Sequence, residues 1–196
     1  MTLGKKTGST RLSMETEKVI RMKCILVAVN EDLVAERVIE FAGQLAQKTN
    51  ATIAVCHIMS RQSFDSIQES IKWQRTTGQR FTYSQAEDQA QAIASTWAEA
   101  LRPYNVRWRT YGRVGDPAQE ILMLAHEIDA DCIVLGFEGL HGISKLRALG
   151  SVARAVLEQT AFPVLVVPAL KAANAQALKK EETKGVLAHG TKFFAV

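Results

Sequence analysis

Five short runs rich in β-branched and aliphatic residues recur along the chain, and stretches with helical spacing separate each run from the next. Strands divided in this way by helices pair most simply in parallel, through right-handed crossovers, with helices covering both faces of the sheet. The first run, Lys23 to Asn30 (KCILVAVN), is apolar from Cys24 to Val29, as a strand buried on both faces must be. Asp32 to Thr49 then places apolar residues at Val34, Val38, Phe41 or Ala42, and Leu45, a helical spacing that Asn50 can end in a left-handed conformation. Ala51 to Ile58 (ATIAVCHI) reads as the second buried strand.

Met59 to Tyr83 is a longer connection. Phe64, Ile67 and Ile71 predict a short amphipathic helix within it, and Thr76-Thr77-Gly78 loosens the chain. Ser84 and Glu87 have the spacing of a capping box, opening a helix whose stripe is Ala90, Ile93, Ala94, Trp97 and Leu101 and which stops before Pro103. Asn105 to Val114 (NVRWRTYGRV) alternates polar and apolar residues, predicting a third strand open on one face or lying at an edge. Trp97 reads as core, and Trp108 and Tyr111 as packing on that edge strand. Asp116 as N-cap, Pro117 in the first turn and Gln119 at the box position start the next helix, with Ile121, Leu122, Ala125 and Ile128 inward. Cys132 to Leu135 is the fourth strand. A helix opens at Ser151, and Pro163 to Val167, closed by Pro168, is the fifth strand. The expected fold class is a doubly wound α/β sheet of five parallel strands with helices on both faces.

With 47% hydrophobic and 22% charged residues the chain can bury the core of one domain. Its apolar runs, such as Ile25 to Val29 and Val164 to Val167, fall far short of the roughly 20 residues a membrane span needs. Met1 to Met22 is polar and basic, without the apolar core of a secretory signal. The formal net charge of +4 resides in the ends: residues 1–22 and 171–196 each carry +3, and 23–170 carry −2. This argues for a basic, flexible extension over 1–22, a folded domain over 23–170 and an appended tail over 171–196, and against nucleic acid as the partner. Cys24, Cys56 and Cys132 are too few and too scattered for a disulfide framework or zinc knuckle; they read as buried hydrophobes in the reducing cytoplasm. His57, near the end of a strand, reads as a satisfied structural histidine, and His126 and His189 make no metal-ligand spacing.

The segment after the fourth strand carries the functional signal. Gly136, Gly139 and Gly142 leave backbone amides unobstructed and permit positive φ, and Gly150-Ser151 opens a helix whose first turn, with Val152, presents further amides and the positive dipole end. Such a nest takes phosphate through the main chain. No nucleophile elbow, Walker A loop or dinucleotide fingerprint is present, so no catalytic residue is assigned.

GDPAQEIL at the start of the third long helix, the strand DCIVLG, and GSVARAVLEQTAFPVLVVP together resemble the universal stress protein family over about residues 23–168. The resemblance implies a strand order of 3-2-1-4-5, homodimers paired through the fifth strand (Val164 to Val167), and ATP or another adenine nucleotide as ligand, with Mg as the cation its phosphates would bring. The family's loop of the form G-x2-G-x9-G-S/T maps onto Gly136, Gly139, Gly150 and Ser151. The ligand contact at the end of the first strand falls on Asn30, and the backbone contact to adenine after the second strand on Ile58. Two features depart from that pattern: ten residues, not nine, separate Gly139 from Gly150, and Asn30 stands where those members usually carry Asp. The expected function is therefore a stress-response or regulatory protein that binds an adenine nucleotide, at most hydrolysing it slowly. The alternative is a nucleotide-independent interaction module with a vestigial loop. Val186, Leu187, Phe193, Phe194 and Val196 form an apolar end to the tail, expected to fold back on the domain or to dock a protein partner.

Overall fold

The computed structural model describes residues 22–30, 34–73, 80–137 and 150–169. Strand β1 (Cys24–Ala28) leads to helix α1 (Ala35–Thr49), β2 (Thr52–Ser60) and α2 (Arg61–Trp73). Then come α3 (Tyr83–Ala98), a 3-10 turn (Glu99–Tyr104), β3 (Arg107–Gly115), α4 (Pro117–Glu127), β4 (Cys132–Phe137), α5 (Ser151–Gln159) and β5 (Val164–Pro168). All four strand pairings are parallel and the order is β3-β2-β1-β4-β5. β1 is central because it is apolar on both sides: Ile25, Leu26 and Val27 are all fully buried. The alternating strand β3 lies at an edge, as its polar positions require.

The sheet separates two cores. Ile25, Val27, Ile53, Val55 and Val134 pack under α1 and α3, whereas Leu26, Ala54, Cys56, Ile133 and Leu135 pack under α4 and α5. Each fully buried Leu or Ile stabilises the fold by about 1.5–3 kcal/mol. The helix ends follow their sequence signals. Asn50 terminates α1 at φ 55°, and Asp116 accepts from the Gln119 amide at 3.0 Å to start α4 behind Pro117.

Four local readings are corrected. α1 begins at Ala35 rather than Asp32. The cap of α3 is Thr82 with Gln85, not Ser84 with Glu87: Thr82 Oγ1 accepts from the Gln85 amide at 3.2 Å, and Gln85 Oε1 accepts from the Thr82 amide at 2.9 Å. This earlier start is held by the flanking aromatics, because Phe64 of α2 packs against both Phe81 and Tyr83, with ring centroids 5.7 and 4.5 Å away. The inward stripe of α3 is Ala86, Ala90, Ala94 and Ala98, with Trp97 half-buried beside it. The cause is close approach: a Cβ on Gly112 of β3 would lie 2.1 Å from the Gln91 amide nitrogen, leaving room only for methyl groups. Finally, Leu124 and Ala118 join Ile121 and Ala125 inside α4, while Leu122 and Ile128 are partly exposed. No helix among the described residues is long and apolar enough to cross a membrane.

Candidate functional site

In this strand order the chain leaves β1 toward β2 on one side and returns from β3 to β4 on the other. The loops at the carboxyl ends of β1 and β4 therefore diverge, and open parallel sheets bind ligands in the crevice so formed. A cavity of about 150 Å³ occupies this place. Ala28, Val29 and Asn30 at the end of β1 form one side of it, with Ile58 of β2 adjacent. Leu135 and Gly136 of β4 form the floor, Pro117 and Ile121 come from α4, and Val152 and Ala153 from the first turn of α5. Among these described residues none is charged, and Asn30 alone has a polar side chain.

The wall is rigidly made. The Val29 amide donates to the Cys56 carbonyl at 2.9 Å, and His57 Nδ1 donates to the Val29 carbonyl at 3.0 Å, so β2 holds the residue just past the end of β1 in place. His57 is thus a satisfied structural histidine, as its place in the strand implied. On β4, a Cβ at Gly136 would lie 2.7 Å from Val34 Cγ1 and 2.9 Å from Val38 Cγ2. Glycine lets α1 lie directly against the strand beside the cavity, and Gly136 needs no left-handed backbone to do so. Gly150 is the N-cap of α5 with φ −54°, a conformation open to any residue, and an added Cβ there meets nothing within 4 Å. The positive φ expected of the loop glycines therefore has no part at Gly136 or Gly150. Gly150 has no side chain to cap α5, and no cap hydrogen bond from a described side chain is present at its start beside Val152.

Of the residues singled out from the sequence, Asn30, Ile58, Gly136 and Val152 meet around this one cavity. Gly150 and Ser151 adjoin it through the start of α5, and Gly139 lies outside the described residues. Pro117 and Ile121 were not anticipated as lining residues. The signal for them was the Gly115-Asp116-Pro117 turn, which starts α4 at the carboxyl end of a strand and so beside the same crevice. No group of three or more His, Cys, Asp or Glu is placed to hold a metal ion among the described residues.

A parallel sheet in the order β3-β2-β1-β4-β5, with helices on both faces and a cavity at its switch point, defines a doubly wound α/β domain. The sequence model of the universal stress protein family matches residues 22–168, and the chain belongs to that family. It is 29% identical over 148 residues to universal stress protein Sll1388 of Synechocystis, covering 73% of this chain and 96% of the relative. Among solved structures, a universal stress protein in complex with cAMP is similar with a TM-score of 0.52 and 23% identity, covering 76% of this chain and 98% of the other. The universal stress protein of Archaeoglobus fulgidus in complex with dAMP is similar with a TM-score of 0.50 and 23% identity, covering 75% of this chain and 98% of the other.

Proposed function

We propose that the cavity between β1 and β4 binds an adenine nucleotide, and that the bound state sets the protein's action in a stress response. The observation that carries the reading is the meeting of Asn30, Ile58, Gly136 and Val152 around one cavity beside the start of α5, whose N-cap Gly150 has no capping side chain. An apolar cavity of about 150 Å³ fits a planar aromatic ring and excludes water from its faces. The first amides of α5 suit phosphate oxygens, and the dipole adds attraction without a charged side chain. The two solved relatives that hold cAMP and dAMP support adenine as the base. With no carboxylate among the described lining residues, Mg would be held through the phosphates of ATP.

The partner in this reading is a second copy of the chain. β5 is an edge strand on which Val164, Leu165 and Val166 remain partly exposed, and unpaired apolar edges invite pairing. The three free cysteines, Cys24, Cys56 and Cys132, agree with a cytoplasmic setting. The apolar end of the tail, with any protein it docks, lies outside the described residues.

The test is thermal unfolding with and without nucleotide. ATP or AMP at millimolar concentration should raise the melting temperature, since a ligand of the native state stabilises it by mass action. Ser151→Asp discriminates: a carboxylate in the first turn favours helix α5 but repels phosphate, so the unliganded protein should keep its stability while the shift disappears. Absence of any shift in the unaltered chain would favour the interaction module, to which Asn30 and the ten-residue spacing also point.

A further inference from the structure

The two flanks of α1 have different neighbours. Gly43 and Gln47 look toward the 3-10 turn: a Cβ on Gly43 would lie 2.5 Å from the Tyr104 ring, and Gln47 Nε2 donates to the Tyr104 carbonyl at 3.2 Å. On the other flank Val34 and Val38 lie against Gly136 of β4, and helical spacing carries that flank on through Arg37, Phe41 and Leu45. Beyond β4 there is only the edge strand β5. α3 packs over β2 and β3, and α4 and α5 pack on the opposite face, so no described helix covers this flank. Phe41 is 40% exposed there, and Leu45, Leu165 and Ala169 are half-buried at the margin of the core beneath α1.

A lone exposed phenylalanine is ordinary on a protein surface. Arg37 is not. Its Nη1 is shut off from solvent, yet it has no hydrogen-bond partner and no ion pair among the described residues. Glu36 and Glu40 stand near it on α1, and neither pairs with it. A cationic nitrogen removed from water without an acceptor is costly, so this position calls for a carboxylate that the described residues do not supply.

The chain itself leads to this place. Val167 is the register partner of Gly136, and the Ala169 amide donates to the Phe137 carbonyl at 3.0 Å. β5 therefore ends one strand spacing, about 4.8 Å, from the strand that Val34 and Val38 touch, at the end of the sheet where α1 begins. Residues 170–196 continue from that point. Their acidic residues are Glu181 and Glu182, followed closely by Val186 and Leu187. Residues 1–21 join at the opposite end of the sheet, ahead of β1.

We propose that residues 181–187 of the same chain dock on this flank, a carboxylate of Glu181 or Glu182 accepting from Arg37 while Val186 and Leu187 cover Phe41 and Leu45. The chain from Ala169 to Glu181 spans about 40 Å when extended, ample to turn back onto α1. Phe41 and Leu45 lie about 6 and 12 Å along the helix from Arg37, and Leu187 reaches up to about 17 Å from Glu182, so both contacts form once the carboxylate is engaged. This surface is separate from the cavity at β1 and β4, which lies on the α4 and α5 side of the sheet.

The experiment is photo-crosslinking of the full chain with Phe41 replaced by benzoylphenylalanine, followed by trypsin digestion and mass spectrometry. The expected product has the mass of one chain and joins residue 41 to the tryptic peptide 185–192. Arg37→Gln should weaken docking by about tenfold, the worth of a charge-assisted hydrogen bond, and lower the yield accordingly. Glu181→Gln with Glu182→Gln should do the same, and these changes lie outside the folded domain should Arg37→Gln fold poorly. A crosslink to any other peptide, a product with the mass of two chains, no crosslink, or a yield unchanged in both variants overturns the proposal.

Discussion

The Nδ1 of His57 donates a hydrogen bond to the main-chain carbonyl of Val29 at 3.0 Å, tying β2 to the residue just past the end of β1. A carbonyl only accepts, so this contact fixes the ring in the Nδ1-protonated form whenever the histidine is neutral. Val29 and Asn30 both line the cavity at the carboxyl ends of β1 and β4, so one ring holds part of its wall.

Replacing His57 with Phe keeps the ring volume but leaves the Val29 carbonyl without this donor. Chemical denaturation should show a loss of about 0.5–1.5 kcal/mol. The melting-temperature shift with ATP should shrink as well, because the end of β1 is no longer fixed. An unchanged shift would mean that the wall keeps its place without the histidine.

Gly136 offers a sharper test of packing. Gly136→Ala puts a methyl within 2.9 Å of both Val34 and Val38, two buried side chains of the α1 segment. Overpacking of this kind costs about 1–3 kcal/mol, readable as a lower denaturant midpoint with an unchanged slope. A crystal structure of the variant should show α1 displaced from β4.

The sheet was legible because its signals are local. An unbroken apolar run marks a central strand, as in Ile25 to Val27, and alternation marks an edge, as in Arg107 to Val114. The caps Asn50 and Asp116 were readable for the same reason, since a cap is decided within four residues. The start of α3 was not. Thr82 and Ser84 are equally good caps, and the choice fell to Phe64, distant in sequence, packing on Phe81 and Tyr83. The alanine stripe was also hidden, because it answers the close approach of Gly112 on another element. At the candidate site, Asn30, Ile58, Gly136 and Val152 could be named from the sequence with the help of a family pattern. Pro117 and Ile121 join them only through the topology.

The thiols should make the fold alkali-sensitive. Burial pushes Cys56 up to about 12, with the Arg113 charge opposing weakly, and burial beside Asp131 and Cys24 pushes Cys132 up to about 11. Unfolded thiols ionise near about 8.5. Between that pH and the folded values the unfolded chain binds fewer protons than the native one, so stability is full below the window and is lost as pH rises through it. The denaturant midpoint should fall between pH 8 and 10, and fall less steeply in Cys56→Ala. At pH 8 a thiol reagent should leave Cys56 unmodified until the protein is unfolded.

The proposed dimerisation through β5 is checked by sedimentation. Val166→Lys places an ammonium on the partly exposed edge strand, and the dimer should give way to monomer or precipitate. A dimer that survives the change would locate the interface on another surface.

The placing of β1 has a consequence for synthesis on the ribosome. β1 and β2 are both complete by Ser60, but the strand that covers β1's other edge begins only at Cys132. At about 5–20 residues per second, the nascent chain passes on the order of 4–15 s with that edge uncovered. The innermost strand of the finished sheet is thus the outermost strand of the half-made one. It is the stretch a chaperone, or a neighbouring nascent copy, would meet first, because the opposite edge of the same half-sheet is β3, already studded with Arg107 and Arg109.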